Sequence, residues 1–498
     1  MPGVQLLGRG RSRTRVFCLA ACAVMLVVLV WSRLANLGTS FWSDEAYSAY
    51  YYAGRGPHAI FFSTYVPNNH VLFNLLSWAT TGFVGRFEAA SRFWSVMPGI
   101  AAVVLVAWWA WRRLGPVAAT ALVVLATVSP VHLVLTPQAR GYGLAMLAAV
   151  VMLIGAVRAS DHERTRDIVV FAAGALVGTW TLPVFGVAAV LQAAVLAWNP
   201  KLRRRALIAT GIVAAASLAF YAPMLTDIVR NADQEFGQRL AVVGMVTGAY
   251  HQPAAPTIGN ALPTDPHGLL NETATFLVIA GLTIAAVVRL WRRERALLAH
   301  LVVPVFGTYV VLVVGRFYVQ PRFASYLVFH VLLLFAIGVQ QCWDGLRRLT
   351  PARAIAAVLI VGFALVGTSR VGNVVEAQAA VPWENNQFVA NFAKSTGINY
   401  VYTDTAHPGA LFYYLGRRRV RWLHDRAVQQ QAYCAVKNRF IFVDDTYHQT
   451  VKPNLRCLLN GRRAQRLEVP QQLNPPIRRP GRLTIYLVPA AREPRRSR

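Results

Sequence analysis

The sequence predicts a mainly α-helical, polytopic membrane protein of about eleven transmembrane helices, with a small C-terminal extracytoplasmic α/β domain. The 498 residues are 55% apolar and only 14% charged, with a mean hydropathy of +0.41, values that a soluble domain of this size does not reach. Arginines stand in short clusters between apolar runs, and after residue 384 strand and helix patterns alternate. We therefore divide the chain into a transmembrane part, residues 1–370, and an α/β part with a basic tail, residues 371–498.

The predicted spans follow from runs long enough to cross a bilayer, which takes about 20 apolar residues. The first run continues to Leu37 without an Ala-x-Ala cleavage site, so we expect a retained span rather than a signal peptide. Two short runs meet at Pro183, and we interpret them as a tight re-entrant hairpin. The spans are 16–37, 93–111, 116–136, 142–157, 168–182, 184–198, 206–222, 273–290, 300–317, 324–342 and 353–370.

The arginine clusters predict the orientation, because loops rich in Arg and Lys stay in the cytoplasm. With these spans, every cluster falls on one side if residues 70–85 form a juxtamembrane helix lying in the interface. The result is a multi-pass cell-membrane protein with a cytoplasmic N-terminus and an extracytoplasmic C-terminal domain. Its outer segments are 38–92, the first outer loop, then 137–141, 223–272 and everything after about 371.

The C-terminal region reads as a small α/β layered domain. Helices are predicted at 383–395 and 408–416, and strands at 399–404, 420–424, 439–445, near 466 and at 482–488. Of the five cysteines, Cys434 and Cys457 lie in this segment and are the candidates for a disulfide.

Five polar stretches at the predicted outer face each have an ordinary structural explanation. Asp44 and Glu45 in "SFWSDEAYS" suit the first turn of an interfacial helix capped by Ser43 or Asp44. In "YVPNNHVLFNLL", helix capping and an exposed His70 account for the polar residues. Glu88 has the i, i+4 spacing of a helical ion pair with an arginine.

The remaining stretches place arginines where positive-inside statistics do not put them: Arg92, Arg140 and Arg322. Arg140 lies between two apolar runs, with Gln138 and Tyr142 beside it, and snorkelling alone would explain it. All five stretches share one membrane face, however, and together they predict a functional site. His132 is expected near the outer end of its span, within reach of that site, and His330 is expected to be a satisfied interior histidine.

The order of these motifs resembles the GT-C membrane glycosyltransferases, closest to the branch of protein O-mannosyltransferases and lipid A aminoarabinose transferases. An acidic pair in the first outer loop is followed by a His before a Leu-rich helix, by Glu-x-x-x-Arg, and by "SP" with Gln-Ala-Arg-x-Tyr. The likeness covers about residues 1–200, and a late "PRF" resembles that branch's Arg-Tyr. This chain has "HVLF" where the family has "HPPL", and Phe323 where it has Tyr.

The resemblance implies an inverting transfer of a sugar from a polyprenyl-phosphate donor to an acceptor hydroxyl, with Asp44 as general base. Glu45 would orient Asp44 or contact the donor, and the resemblance leaves room for a divalent metal ion shared with His70. The arginines would stabilise the leaving phosphate. The implied donor-binding or phosphate-binding residues are His70, Arg92, Gln138, Arg140, Tyr142 and Arg322. The acceptor would be an extracytoplasmic glycan, lipid or protein of the cell envelope. For the transferred sugar, mannose is favoured and arabinose is the alternative.

Two other classes of function compete with this interpretation. A polyprenyl-linked glycan flippase or transporter would carry acids at the middle of its spans, yet the predicted span centres hold no Asp, Glu or Lys. A membrane-anchored glycan-binding or assembly protein would place its activity in the α/β tail. No basic run is interleaved with aromatic residues, so a nucleic acid is not an expected partner. The short cytoplasmic loops also leave no place for a nucleotide-sugar domain.

Overall fold

The structure, a computed structural model, describes residues 3–85, 87–234, 269–314, 321–346, 386–403, 409–422, 439–445, 464–468 and 483–489. Apolar helices make up most of this part of the chain, and a small sheet lies near the C-terminus. The predicted span 353–370 and the candidate disulfide Cys434–Cys457 lie outside the described residues.

Fifteen helices precede the sheet in the described part of the chain, and two more accompany its strands. The first fifteen are α1 (Gly3–Leu34), α2 (Ser43–Tyr47), α3 (Pro57–Phe62), α4 (Val71–Val84), α5 (Glu88–Arg113), α6 (Pro116–Val128), α7 (Pro130–Leu135), α8 (Tyr142–His162), α9 (Thr165–Thr181), α10 (Phe185–Ala197), α11 (Pro200–Tyr221), α12 (Leu225–Gln234), α13 (Leu269–Arg293), α14 (Arg295–Val314) and α15 (Val328–Leu346). A π-helical turn (Ser48–Tyr52) continues α2, and 3₁₀ turns cover Ala53–Arg55, Ala222–Met224 and Pro321–Leu327.

Among the described residues, six helices are long and apolar enough to cross a membrane. They are Thr14–Leu34, Glu88–Arg113, Tyr142–His162, Pro200–Val229, Arg295–Leu312 and Arg322–Gly345. Helices α4, α6 and α10 are apolar but shorter. Within the described residues, the predicted spans consist mostly of helix, which confirms a helical, multi-pass membrane protein. The count of eleven crossings and the interfacial position of α4 stay predictions.

One predicted span is divided in the structure. Residues 116–136 form two helices, because Ser129 leaves the helical conformation and Pro130 begins α7. The Ser129 side chain accepts a hydrogen bond from the backbone of His132, the arrangement of a helix N-cap. The prediction of one continuous helix was therefore wrong. Near Pro183, α9 ends at Thr181 and α10 begins at Phe185. That these two helices form a re-entrant hairpin stays a prediction.

Both interior histidines are fully buried. The ring of His132 contacts Arg33, at 2.9 Å from Nη2 to Nδ1, and Gly99, at 3.1 Å from the carbonyl oxygen to Nε2. Arg33 in turn donates to the carbonyls of Ala126 and Thr127, so this cluster caps the C-terminal end of α6. Within the described residues neither ring nitrogen of His330 has a hydrogen-bond partner. The reach of His132 to the site and a satisfied His330 stay predictions.

Helix α8 lies in the middle of the bundle, where most of its residues are buried against α5 and α9. A Cβ atom at Gly143 would collide with the backbone carbonyl of Ser95 in α5. This close approach needs glycine, and it brings the start of α8, which carries Arg140 just before it, against the N-terminal part of α5. The site is built at this junction.

The C-terminal unit, as far as it is described, contains α16 (Asn386–Ser395), α17 (Gly409–Leu415) and a five-stranded mixed sheet. The strands are β1 (Val401–Thr403), β2 (Val420–Trp422), β3 (Phe440–Asp445), β4 (Gln465–Glu468) and β5 (Leu483–Val488), in the order β2-β1-β3-β5-β4. β1 pairs in parallel with β2 and β3, and β5 pairs antiparallel with β3 and β4. The predicted alternation of helices and strands is confirmed. The domain boundary near residue 371 stays a prediction.

The C-terminal unit packs directly on the segment that carries the acidic pair. Tyr50 and Tyr51, in the π-helical turn after α2, lie against its apolar core, and the rings of Tyr50 and Phe412 are 5.6 Å apart. Ala410 of α17 is buried with Phe41 just before α2. The outer loop and the C-terminal unit therefore share one packed interface.

Candidate active site

The acidic pair lies in the first turn of α2. Trp42 is the N-cap residue, and its backbone N–H donates to Glu45 Oε2 over 3.3 Å. Glu45 thus fills the reciprocal position of a capping box. The N-cap position, which was predicted for Ser43 or Asp44, is occupied by Trp42. Capping accounts for one oxygen of Glu45 and leaves Asp44 unexplained.

Glu45 is buried in a two-pronged ion pair with Arg92. Arg92 Nε lies 2.9 Å from Oε1 and Nη2 lies 2.8 Å from Oε2, with both side chains at most 5% exposed. The backbone N–H of Ala139 donates to Oε1 over 2.6 Å. Both oxygens of Glu45 are therefore fully engaged, and they tie α2, α5 and the segment before α8 together.

Arg92 also holds the backbone that leads into α2. Its Nη1 donates to the carbonyl oxygens of Leu37 and Thr39, each over 2.8 Å, and Nη2 lies 3.4 Å from the carbonyl of Ser40. We call residues 36–45 the acidic loop. Its path is fixed by this buried guanidinium, and the carboxylate paired with Arg92 is Glu45 rather than Glu88 at the i, i+4 position.

Asp44 is bound by two different arginines on a single oxygen. Its Oδ2 lies 2.5 Å from Arg140 Nη1 and 2.9 Å from Arg322 Nη2, while Oδ1 accepts from the Asn68 side-chain amide over 3.1 Å. The Asp44 side chain is 15% exposed, more than the 2% of Glu45. Two guanidinium groups favour the ionised carboxylate, and this carboxylate borders the solvent.

His70 lies beside Arg140 and is almost completely buried, so the expectation of an exposed histidine was wrong. The backbone N–H of Gly141 donates to its Nδ1 over 2.8 Å, and Nε2 lies 3.0 Å from Arg140 Nη2. Burial, together with the charges of Arg140 and Arg322, holds the pKa of His70 well below its ordinary value of 6.5. The imidazole is therefore neutral in the folded protein.

Aromatic rings form the walls around the arginines. The guanidinium carbon of Arg322 lies 5.6 Å from the ring centres of both Trp42 and Phe323. That of Arg140 lies 5.2 Å from Tyr142 and 5.9 Å from Phe323. Phe323, where the resembled branch has Tyr, serves as an apolar support for both guanidinium groups.

Several buried polar atoms at this junction have no hydrogen-bond partner within the described residues. They are the Tyr142 hydroxyl, Gln138 Oε1 and Arg140 Nε. Asp44 and Glu45 supply two negative charges, and Arg92, Arg140 and Arg322 supply three positive ones. The cluster thus carries one excess positive charge and unused hydrogen-bonding groups, features of a site for an anion.

The residues do not suit a shared metal ion. The oxygens of Asp44 and Glu45 face guanidinium groups and N–H donors, and Nδ1 of His70 accepts from a backbone N–H. Within the described parts of the chain, no three or more His, Cys, Asp or Glu side chains are grouped to hold a metal ion. We derive no step through a metal.

Solved structures resemble this chain over most of its length, whereas no protein-family model and no curated protein matches it. The apo structure of ArnT from Cupriavidus metallidurans has a TM-score of 0.55 and 15% identity, covering 95% of this chain and 98% of that one. ArnT bound to undecaprenyl phosphate has a TM-score of 0.53 and 14% identity, with coverages of 94% and 97%. AglB, an oligosaccharyltransferase from Archaeoglobus fulgidus in complex with an inhibitory peptide and a dolichol-phosphate, has a TM-score of 0.54 and 12% identity, with coverages of 86% and 69%.

The chain has the GT-C fold. ArnT and AglB are both GT-C membrane glycosyltransferases, so the predicted resemblance is confirmed at the level of the fold. Because fold does not determine chemistry, the activity has to be argued from the site itself.

Within this GT-C fold, the structure brings together most of the predicted site residues. Asp44, His70, Arg140 and Arg322 form one contact network, and Glu45 with Arg92 forms the adjoining pair. Tyr142 joins through its ring contacts with the network. The backbone carbonyl of Gln138 accepts from the backbone N–H of Arg140 over 2.7 Å. Its buried side-chain oxygen has no hydrogen-bond partner within the described residues.

Sequence reasoning missed two members of the site. Asn68 bridges Asp44 and Arg140, since its Oδ1 accepts from Arg140 Nη2 over 3.0 Å. Gly141 is needed because a Cβ atom there would press on His70 and Thr181. The signal for both was present: Asn68 stands two residues before His70, and glycines flank Tyr142 in "RGYG".

Proposed function

We propose that this protein is an inverting glycosyltransferase that moves a sugar from a polyprenyl-phosphate donor to an acceptor hydroxyl. The observation that carries the proposal is Asp44: a partly exposed carboxylate bound on one oxygen by Arg140 and Arg322. A base for the acceptor and two cations for the leaving phosphate thus stand side by side. The GT-C fold and the motif order in the sequence support the same assignment.

In the proposed reaction, Asp44 takes the proton of the acceptor hydroxyl as its oxygen attacks the anomeric carbon of the sugar. The bond between that carbon and the phosphate oxygen breaks, and polyprenyl phosphate leaves with the electron pair. Attack from the side opposite the phosphate inverts the anomeric configuration. General-base assistance of this kind contributes about 10² to 10⁴ in rate.

Arg140 and Arg322 are proposed to bind the phosphate of the donor. When the donor phosphate enters, it gives both guanidinium groups a second anionic partner beside Asp44. Their ion pairs with Asp44 become weaker, and the oxygens of Asp44 become available to the acceptor hydroxyl. The excess positive charge of the cluster supports this assignment, as does the Tyr142 hydroxyl, which has no hydrogen-bond partner among the described residues. His70 and Asn68 are proposed to orient Arg140, with which both are in contact.

Glu45 and Arg92 are proposed to position the acidic loop rather than to touch the donor. Their charged atoms are engaged with one another, with Ala139 and with backbone carbonyls of the loop. This assignment replaces the phosphate contact that the sequence predicted for Arg92. For Glu45 it keeps the role of orienting Asp44.

The face of the membrane, the sugar and the acceptor are proposed from sequence patterns. The positive-inside pattern supports a site on the extracytoplasmic side. An acceptor in the cell envelope, whether a glycan, a lipid or a protein, is proposed there, with mannose as the favoured sugar and arabinose as the alternative.

The test uses the full-length protein in membranes with a panel of radiolabelled polyprenyl-phosphate sugars. We expect transfer from one of these donors and a product of inverted configuration. Asp44→Asn should lower the rate at least about 100-fold, the lower range for a lost general base. Asp161→Asn is the matched control, because Asp161 forms an exposed ion pair with Arg113 far from the site.

Two results would contradict the proposal. One is normal transfer by the Asp44→Asn protein at wild-type abundance. The other is a wild-type protein that transfers no sugar but moves the donor across the bilayer, since that result favours the flippase interpretation.

A further inference from the structure

One hydroxyl group of the C-terminal unit, that of Tyr414, bonds directly to the acidic loop. Tyr414, in α17, donates to Glu88 Oε1 over 2.9 Å and accepts from the backbone N–H of Phe41 over 2.8 Å. One side chain therefore joins three parts of the chain: the C-terminal unit, the first turn of α5 and the acidic loop three residues before Asp44. The contact to Phe41 spans 373 positions of sequence.

Packing around Tyr414 reinforces this connection. The Phe41 ring lies 5.1 Å from that of Tyr413, edge to face, and 6.5 Å from that of Tyr414. On its other side, the guanidinium carbon of Arg92 is 5.1 Å from the Phe41 ring. Phe41 is thus held between the C-terminal unit and the buried cation that fixes the rest of the loop.

A second backbone contact lies beside the first. The backbone N–H of Gln387, in α16, donates to Ser40 Oγ over 3.3 Å. Two consecutive loop residues, Ser40 and Phe41, are therefore each bonded to the C-terminal unit. The loop has its other attachment through Arg92, on the transmembrane side.

The Tyr414 hydroxyl is suited to a permanent contact. Burial and the adjacent charge of Glu88 raise the pKa of Tyr414, so the hydroxyl keeps its proton and remains a donor to the carboxylate. Glu88 and Arg92, one helical turn apart on α5, point to different partners: Glu88 to the C-terminal unit and Arg92 to Glu45. The start of α5 is therefore bonded to the C-terminal unit through Glu88 and to the acidic loop through Arg92.

We propose that Tyr414 is a positioning residue, and that the C-terminal unit serves to hold the acidic loop so that Asp44 stands correctly between Arg140 and Arg322. The effect on transfer rests on the proposed function of Asp44. The effect on the position of the acidic loop is independent of that function. A misplacement of about 1 Å in a reacting group is enough to lower a rate greatly, so one hydroxyl at the base of the loop has a measurable consequence.

The experiment compares Tyr414→Phe with Tyr400→Phe in the full-length protein. Tyr400 belongs to the same C-terminal unit and is 38% exposed, so its substitution removes a hydroxyl away from the loop. The first measurement is amide hydrogen–deuterium exchange in residues 36–45. We expect exchange there to speed up about tenfold in Tyr414→Phe, the loss of one buried hydrogen bond, and to stay unchanged in Tyr400→Phe.

The second measurement is transfer per folded protein. We expect kcat to fall about tenfold in Tyr414→Phe, with the donor KM within about twofold, because the donor-binding arginines keep their places. A merely structural role predicts less folded protein with kcat and exchange unchanged, and that result would overturn the proposal. Unchanged exchange alone would overturn it as well.

A variant on the opposite side of the contact, in α5, distinguishes loss of the contact from misfolding of the C-terminal unit. Glu88→Ala removes the acceptor of Tyr414 while leaving that unit intact, and we expect faster exchange in the same loop. The double variant with Tyr414→Phe should be no worse than the stronger single variant, because both break one connection. Additive losses would contradict a shared role. If the wild-type protein transfers no sugar, the proposed function fails, and the exchange measurements still decide whether Tyr414 holds the loop.

Discussion

Asp44 and Glu45 are neighbours in the chain and opposites in their surroundings. Glu45 is buried, and each of its two oxygens accepts a hydrogen bond from a nitrogen of one arginine, Arg92. Asp44 presents one oxygen to two arginines from distant parts of the chain and is partly exposed. A closed pair of this kind holds structure, whereas an open group with surplus positive charge is able to exchange partners. The spacing of two acidic residues therefore says little about their roles, which depend on the basic residues that each of them binds.

The largest effect on this comparison should come from breaking the closed pair. Glu45→Gln leaves Arg92 buried without its counter-ion, which should destabilise the protein by about 3 to 5 kcal/mol. Thermal unfolding in detergent measures this loss. Asp44→Asn is the comparator and should cost far less stability, because Asp44 is partly exposed and Arg140 retains its contacts with Asn68 and His70. Equal losses of stability would erase the distinction between the two acids.

A smaller effect should separate the two arginines of the open group. Arg140 contacts Asp44, Asn68 and His70 and is fully buried. Lysine keeps the charge but not the planar fork, so Arg140→Lys should lower kcat/KM for the donor about tenfold to a hundredfold, the value of a charged hydrogen bond. Arg322→Lys should lower it less.

The matched control for these lysine variants is Arg113→Lys. Arg113 forms exposed ion pairs at the other end of α5, and its substitution should leave kcat/KM unchanged. A larger loss in Arg322→Lys than in Arg140→Lys would reverse the proposed order of the two residues.

The smallest effect concerns pH and His70. Its pKa in the folded protein is well below 6.5, so below pH 6.5 the unfolded chain binds a proton that the folded protein does not. The stability contributed by this histidine is therefore full above pH 6.5 and decreases as the pH falls, by at most about 1.4 kcal/mol per pH unit. Unfolding measured between pH 7 and 5 in the wild-type protein and in His70→Asn tests this. Identical pH slopes would show that His70 is not the cause.

Much of the helical framework was predictable because apolar run length and arginine clusters report directly on membrane spans. The division of residues 116–136 was not foreseen, since hydropathy is continuous across Ser129 and only "SP" indicated a new helix start. The strands of the C-terminal unit were predictable from alternation, but the order β2-β1-β3-β5-β4 depends on pairings that a local pattern does not contain.

The candidate site was predictable as a set of residues and not as a set of contacts. The predicted spans placed Asp44, Arg140 and Arg322 on one membrane face, and the order of their motifs indicated a common site. The spacing of Glu88 and Arg92 favoured a pair within one helix, yet Arg92 binds Glu45, 47 positions away. Contacts such as that of Tyr414 with Phe41 join distant segments, and periodicity along one helix describes only which face is apolar.

The hydrogen bond from Gly141 to His70 fixes a tautomer. A neutral imidazole whose Nδ1 accepts a backbone N–H carries its own proton on Nε2, and this nitrogen lies 3.0 Å from Nη2 of Arg140. Because Nε2 then carries a proton, Arg140 has its acceptors in Asn68 and Asp44 rather than in His70. The glycine that follows Arg140 thus decides which ring nitrogen of His70 is protonated.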